Sequence, residues 1–219
     1  MSLIYVVPVI LISLSFHEAS HAFVSYKLGD PTAKNMGRLT INPLKHLDPL
    51  GTIMMIISSL SGIGFGWAKP VPINPSYYKN RKQGTMLTGL AGPVSNLLLA
   101  FIAVFPFLLI QINYNVEALS QYDKITVAFN FVQMFFLSNI SLAVFNLLPI
   151  PPLDGSKILT GILPTRLYFQ LMQYENYIGM AFIAIVLFFS NQFSAVLWMI
   201  IKPVANIMLD AVYKIITIF

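Results

Sequence analysis

The sequence predicts an all-α polytopic membrane protein, and three observations point to this class. Hydrophobic residues make up 57% of the 219 residues and charged residues only 10%, whereas a typical soluble domain has about 25% charged residues. The apolar residues are collected in runs that are long enough to cross a bilayer as helices. Most of the cationic residues lie in the polar stretches between those runs, which is typical of membrane orientation.

The apolar runs place the segments, and we expect about five to six transmembrane or re-entrant segments of the usual length. Full spans are expected at 3–26, 85–110 and 125–148, with one or two more in the runs 177–190 and 193–218. The stretch Gly37–Pro43 has the pattern of a short strand between turn signals. It predicts a small β element after the first span.

The apolar run 50–65 is shorter and rich in Gly and Ser, so it is either a thin span or a re-entrant segment. A full span would place the flanking basic loops, 27–48 and 67–83, on opposite sides of the membrane. A re-entrant segment keeps both loops on the cytoplasmic side, as the positive-inside rule favours. It also makes the first span and the 125–148 span run parallel. We therefore expect that residues 50–65 do not cross fully.

The first span contains His17, Glu18 and His21 in the pattern H-E-x-x-H. Residues i and i+4 lie on the same face of a helix, so both imidazoles can bind one metal ion, and Glu18 can act as a base on water. A solvated patch on a helix face is the alternative. Because ionisable residues inside a membrane span are costly and usually functional, we expect a zinc hydrolase site.

A catalytic zinc usually takes a third protein ligand. The chain has no cysteine, so the candidates are His46, Asp48 and Asp154. His46 and Asp48 lie in a polar loop, where a solvated turn is the commoner role. Asp154 follows a span and a proline-rich turn, and a carboxylate at that depth needs a partner, although it could instead cap a helix. Asp154 reaches the two histidines, near the cytoplasmic face, only if residues 50–65 are re-entrant.

These motifs resemble those of the site-2 protease family of intramembrane zinc metalloproteases. The matching stretches, between residues 17 and 155, are HEASH, GRLTINPLKHLDPLG, FGWAKPVPINP, AGPVSN and FNLLPIPPLDG. The resemblance implies that His17, His21 and Asp154 bind one Zn2+ per chain and that Glu18 is the catalytic base. It also implies a partner, a membrane-protein substrate that is cleaved in or near its transmembrane helix.

Asn96 and Asn146 match asparagines of the family's motifs, which implies a substrate-binding role. Each would hydrogen-bond an extended substrate backbone or stabilise an oxyanion, and the alternative for both is a buried interhelical hydrogen bond. No stretch resembles the PDZ or CBS domains of many relatives. We therefore expect one integral-membrane domain over 1–219, with its core in 1–155 and additional C-terminal spans in 156–219.

Other functions stay open at this point. The chain could be a non-catalytic zinc-binding membrane protein or a transporter, although a transporter would favour repeated halves and ionisable residues in several spans. It could also be a zinc hydrolase acting on a lipid or a prenylated peptide. The net charge of +5 is spread over loops, which indicates contact with the lipid bilayer and no nucleic-acid binding.

Overall fold

A computed structural model describes residues 3–60, 68–121 and 123–218. Its regular structure within these ranges is helical, as the sequence predicts. The helices are α1 Leu3–Lys27, α2 Thr32–Asn35, α3 Pro49–Leu60, α4 Arg81–Asn113, α5 Lys124–Leu147, α6 Asp154–Ile162, α7 Thr165–Met172, α8 Glu175–Phe188 and α9 Ser190–Ile218. Short 3-10 turns lie at Pro43–Lys45, Pro75–Tyr77 and Val116–Ala118.

Among the described residues, α1, α4, α5 and α9 are long and apolar enough to cross a membrane. The pair α7 and α8 is bent by 62° at its break and would make a fifth span if it crosses as one unit. At about 1.5 Å per residue, α1 is about 38 Å long and α5 about 36 Å, and both exceed the bilayer core of about 30 Å. The chain is an integral, multi-pass membrane protein.

The outer faces of the long helices carry large apolar side chains. Leu98, Ile102 and Met199 are 60%, 63% and 73% exposed. A soluble protein rarely leaves so much contiguous apolar surface in water. These faces are therefore suited to contact with lipid.

The described part of the 50–65 segment is α3, a helix of 12 residues. At about 1.5 Å per residue it is about 18 Å long, which is well short of the about 30 Å bilayer core. The described helix is therefore too short to cross alone. The rest of the segment lies outside the described residues, so the re-entrant path stays a prediction.

The small β element predicted at Gly37–Pro43 is wrong for the described part of the chain, which contains no strand. The nearest feature is an isolated antiparallel bridge between Leu47 and Ala68. The stretch starts instead at Gly37 with a left-handed φ of 64°. The Asn42 N–H then bonds to the Thr40 hydroxyl, at 3.1 Å. Such local bonds from side chains compete with strand pairing.

Helix α4 lies at the centre and packs against α1, α5, α6 and α9. Its buried Ala100, Val104 and Phe107 belong to an apolar cluster shared with α5 and α9. The Phe107 ring stacks on Phe129 and Phe136, with centroids 5.1 Å and 6.1 Å away. This cluster holds α4 and α5 together. Helix α1, which contains the two histidines, packs against both of them.

Candidate metal centre

The two histidines of the HEASH motif lie one turn apart on the same face of α1. Each is only 4% exposed, and their rings meet edge to face with centroids 4.6 Å apart. The helical spacing predicted this pairing, since residues i and i+4 share a face.

Asp154 reaches the same place from a segment that is distant along the chain. Helix α5 ends at Leu147, and the proline-rich turn that follows delivers Asp154 as the first residue of α6. Gly155 is required there, because a Cβ at this position would lie 2.1 Å from the Leu148 carbonyl oxygen. The turn therefore packs tightly enough to hold Asp154, which is 6% exposed.

Three ligand atoms meet at this point, one from each of His17, His21 and Asp154. The Asp154 Oδ2 atom lies 2.9 Å from His17 Nε2 and 3.0 Å from His21 Nε2. The two Nε2 atoms are 3.0 Å apart. Among the described residues this is the group of His, Asp and Glu side chains close enough to hold a metal ion. The ends of α1 and α5 therefore lie on the same side of the bundle.

Both histidines use the other ring nitrogen to bond to a fixed acceptor. His17 Nδ1 donates to Asn96 Oδ1 and His21 Nδ1 donates to the Thr88 carbonyl oxygen, each at 2.6 Å. A neutral imidazole has one N–H and one lone pair, so each Nε2 presents its lone pair to the other and to Asp154. Metal-binding histidines are usually oriented by such a second bond.

This donor set fits a zinc ion. Two nitrogen lone pairs and a carboxylate oxygen repel one another at 2.9–3.0 Å unless a cation lies among them. Zinc is bound by His nitrogen and Asp oxygen at about 2.0 Å, which in a tetrahedron places ligand atoms about 3.3 Å apart. The separation in the cluster is close to that value.

Gly92, on α4, makes room for the two imidazoles. A Cβ at this position would lie 2.4 Å from His21 Nε2 and 2.5 Å from His17 Nε2. The structure shows that Gly92 lies directly against the ligand atoms.

Glu18 lies beside the first histidine and is partly exposed. Its Oε2 atom accepts a hydrogen bond from the Val71 backbone N–H at 2.8 Å. Val71 is buried in a stretch, 68–74, which is neither helix nor strand. The carboxylate is thus held by one oxygen, and within 3–60, 68–121 and 123–218 no hydrogen bond to its second oxygen is found.

Lys157 is a neighbour of the cluster that the sequence analysis missed. Its Nζ donates to Asp154 Oδ1 at 2.7 Å, so Asp154 faces the histidines with one oxygen and the lysine with the other. The i,i+3 spacing on α6 is the signal that could have indicated this pair.

The other predicted residues lie elsewhere or in other roles. His46 Nε2 bonds to the Thr40 carbonyl oxygen at 2.7 Å, and Asp48 Oδ1 accepts from the Gly51 N–H at 2.8 Å. Neither belongs to the cluster. Asn146 Nδ2 donates to the Leu142 carbonyl oxygen at 2.9 Å. Asn96 is fully buried behind His17, and its side chain makes hydrogen bonds to residues of neighbouring helices. Substrate binding by Asn96 or Asn146 stays a prediction.

The chain is similar to several known proteins. Residues 5–189 match the model of peptidase family M50. A Bacillus subtilis protein named "Putative zinc metalloprotease YwhC" is 41% identical over 210 residues, which cover 96% of this chain and 90% of that protein.

Two mycobacterial proteins match a shorter part. Both are named "Putative zinc metalloprotease Rip2"; the Mycolicibacterium smegmatis protein is 34% identical and a Mycobacterium tuberculosis protein 33% identical over 149 residues. The match covers 66% of this chain and 52% of each relative. No solved structure matches the chain significantly. The chain belongs to peptidase family M50, the family of the site-2 proteases.

Proposed function

We propose that this protein is an intramembrane zinc metalloprotease that hydrolyses peptide bonds in or near transmembrane segments of other membrane proteins. Such cleavage would serve regulated intramembrane proteolysis. The observation that carries the proposal is the meeting of His17 Nε2, His21 Nε2 and Asp154 Oδ2 within 3.0 Å, beside Glu18. The same four residues are those that the family resemblance assigns.

His17, His21 and Asp154 would hold one zinc ion per chain. Zinc bound there would supply Lewis acidity toward the scissile carbonyl and the attacking water. Glu18 takes a proton from that water and passes it to the leaving amine, as a general base and then a general acid. The Val71 N–H holds one Glu18 oxygen at 2.8 Å, and the other oxygen is the proposed acceptor of the proton.

The substrate is a membrane protein with a transmembrane helix, which must unwind before its carbonyl groups are accessible, because an intact helix occupies them in hydrogen bonds. Asn146, which lies in the last turn of α5, is the proposed contact for the unwound backbone. The basic loops 27–48 and 67–83 favour a cytoplasmic orientation for the site. We infer one domain over 1–219, with its core in 1–155 and the remaining spans in 156–219.

The variant Glu18→Gln tests whether Glu18 is the base of a protease, against the alternatives of a non-catalytic zinc protein and a transporter. The amide keeps the shape of the side chain but cannot take the proton, so cleavage of a co-expressed single-span substrate should fall by about 100-fold or more while zinc content is unchanged. Zinc content and cleavage are measured on the same purified samples.

The outcomes separate the candidate functions. Zinc bound by the wild type without any cleavage would favour a non-catalytic zinc protein or a transporter. Cleavage by Glu18→Gln at the wild-type rate would contradict the assigned base.

A further inference from the structure

We propose that Asn139, on α5, is a positioning residue that selects the metal-binding tautomer of His17 through Asn96. The inference rests on the proposed zinc site. It adds a residue that does not touch the ligand atoms and that no motif of the sequence indicated.

The chain of contacts begins at a group that can only accept a hydrogen bond. Asn139 Nδ2 donates to the Phe135 carbonyl oxygen at 2.8 Å and to Ser13 Oγ at 2.9 Å. Since a carbonyl oxygen has no proton to give, the amide nitrogen of Asn139 must face Phe135. The Oδ1 atom of Asn139 then faces the other way, toward Asn96.

The orientation of Asn139 fixes the orientation of Asn96. Asn96 Nδ2 donates to Asn139 Oδ1 at 2.9 Å and to the Ser13 carbonyl oxygen at 3.3 Å. Both partners accept, so the amide nitrogen of Asn96 points at them and its Oδ1 points at His17. Asn96 and Asn139 are both fully buried, so bulk water cannot replace a missing partner.

The orientation of Asn96 in turn decides which nitrogen of His17 carries the proton. Asn96 Oδ1 accepts from His17 Nδ1 at 2.6 Å, which leaves the lone pair on Nε2, the atom that faces Asp154. If the Asn96 amide were turned over, its NH2 group would need a lone pair on His17 Nδ1. The ring proton would then be on Nε2, and that nitrogen could not bind a metal.

The two histidines differ in this respect. His21 Nδ1 donates to the backbone carbonyl of Thr88, which cannot turn over. His17 depends on a side-chain amide, whose two orientations differ only in their hydrogen bonds. Two acceptors favour one orientation of this amide, and Asn139 Oδ1, at 2.9 Å, makes a shorter bond than the Ser13 carbonyl oxygen, at 3.3 Å.

The test compares the zinc affinity of the wild type with that of variants at Asn139. Each affinity is measured by competition with a chelator, on the full-length protein in detergent. Asn139→Leu keeps the volume but removes the acceptor, and zinc affinity should fall about 10-fold or more, as for other groups that orient a metal ligand. Asn139→Asp should restore most of it, because a buried carboxyl group without a cation takes up a proton. It then offers an acceptor to Asn96 and one O–H to the Phe135 carbonyl oxygen.

Ser141→Ala is the matched control. Ser141 also lies on α5, and its hydroxyl bonds to the carbonyl oxygen four residues earlier, that of Leu137, at 2.8 Å. The Asn139 side chain bonds in the same way to Phe135, but no hydrogen bond joins Ser141 to Asn96 in the described part of the chain. Its loss should leave zinc affinity unchanged. Asn139→Ala serves as a second variant if the leucine does not fold, and thermal unfolding of the metal-free proteins monitors packing.

The zinc affinities of these variants separate a positioning role of Asn139 from a general packing role. Wild-type zinc affinity in a folded Asn139→Leu or Asn139→Ala would overturn the role of Asn139 while leaving the zinc site intact. Loss of affinity in Asn139→Asp equal to that in Asn139→Leu would also overturn it, as a general packing effect. A wild type that binds no zinc would overturn both this inference and the proposed function.

Discussion

Gly92 decides how closely α4 can approach the histidines of α1. The Cβ of any other residue would lie 2.4 Å from His21 Nε2, where real Cβ contacts do not occur. The imidazoles would have to move apart, and their packed surroundings leave little room for this. A single methyl group is therefore enough to disrupt the ligand set.

Gly92→Ala should lower zinc content to a small fraction of the wild-type value, because displaced ligands lose the geometry that zinc requires. Gly179→Ala, on α8, is the control for the same substitution in a helix. Its Cβ would lie 3.6 Å from Pro152 Cδ, an ordinary contact. Equal zinc content in the two variants would show that α4 does not constrain the histidines as closely as described.

Asp30 anchors the segment that follows α1. Its buried carboxylate accepts hydrogen bonds from the Asn74 N–H at 2.7 Å, the Ser25 hydroxyl at 2.8 Å and the Thr32 N–H at 2.9 Å, and from the Thr32 hydroxyl. Burial by itself would raise the pKa of Asp30, but these donors outweigh it and lower the pKa below its usual value. The ionised form therefore stabilises the folded state.

The lowered pKa predicts a loss of stability in acid. The contribution of Asp30 is complete above the unfolded pKa of about 3.9 and is lost as the pH falls through the lower folded value. Asp30→Asn should cost about 1–3 kcal/mol near neutral pH and show a smaller loss on acidification. Thermal unfolding in detergent, compared near neutral pH and in acid, measures both.

Asp48→Asn is the control for Asp30→Asn, since the Asp48 carboxylate accepts one described hydrogen bond, from the Gly51 N–H. An acid-dependent loss of stability in Asp30→Asn as large as in the wild type would contradict the anchoring role of Asp30.

At the scale of elements, the stretch 68–74 brings a backbone N–H to Glu18, the proposed catalytic base. Besides the bond from Val71 to Glu18, Lys69 N–H donates to the His46 carbonyl oxygen at 2.8 Å, and Arg38 donates to the Lys69 carbonyl oxygen at 2.7 Å. Pro70 and Pro72 on either side of Val71 have no N–H. Among these three consecutive residues, Val71 is therefore the one whose backbone N–H can bond to Glu18.

Val71→Pro removes this N–H and should lower the cleavage rate about 10-fold, the effect of losing a hydrogen bond worth about 1.5 kcal/mol to a charged group. Zinc content should stay at the wild-type value, because no zinc ligand is touched. Val71→Ala keeps the N–H and controls for the loss of side-chain contacts. Cleavage rates that match in the two variants would show that the N–H does not position the base.

The elements also show what the sequence could predict and what it could not. His17, Glu18 and His21 could be found from spacing alone, because a single helix fixes their relative positions. Asp154 needed an argument about membrane topology. Asn139 could not be found, because its role depends on how α5 is rotated against α4, and sequence periodicity does not specify that rotation.

The predicted strand at Gly37–Pro43 failed for a related reason. Its alternating residues match the period of a strand, but Gly37 has a positive φ, and the local bonds to the Thr40 and Asn42 side chains compete with strand pairing. Strand pairing also needs a partner, and the bridge at Leu47 is the nearest that the described residues provide.

For the whole molecule, the site requires that the loops before and after α3 lie on the same side of the membrane. The chain has no cysteine, so single cysteines can report the side. Lys45→Cys and Lys79→Cys should both react with a membrane-impermeant thiol reagent only from the cytoplasmic side. Asn115→Cys, between α4 and α5, should react only from the other side. Labelling of positions 45 and 79 from opposite sides would mean that residues 50–65 cross fully.

The most direct measurement for the account as a whole is the zinc content of the purified full-length protein, determined by elemental analysis for the wild type and for Asp154→Ala. The account predicts about one zinc ion per wild-type chain, as expected for a single catalytic site, and almost none for Asp154→Ala in a protein that remains folded. Equal zinc content in the two proteins, or none in the wild type, would contradict the claim that α1 and the turn after α5 share one metal ion.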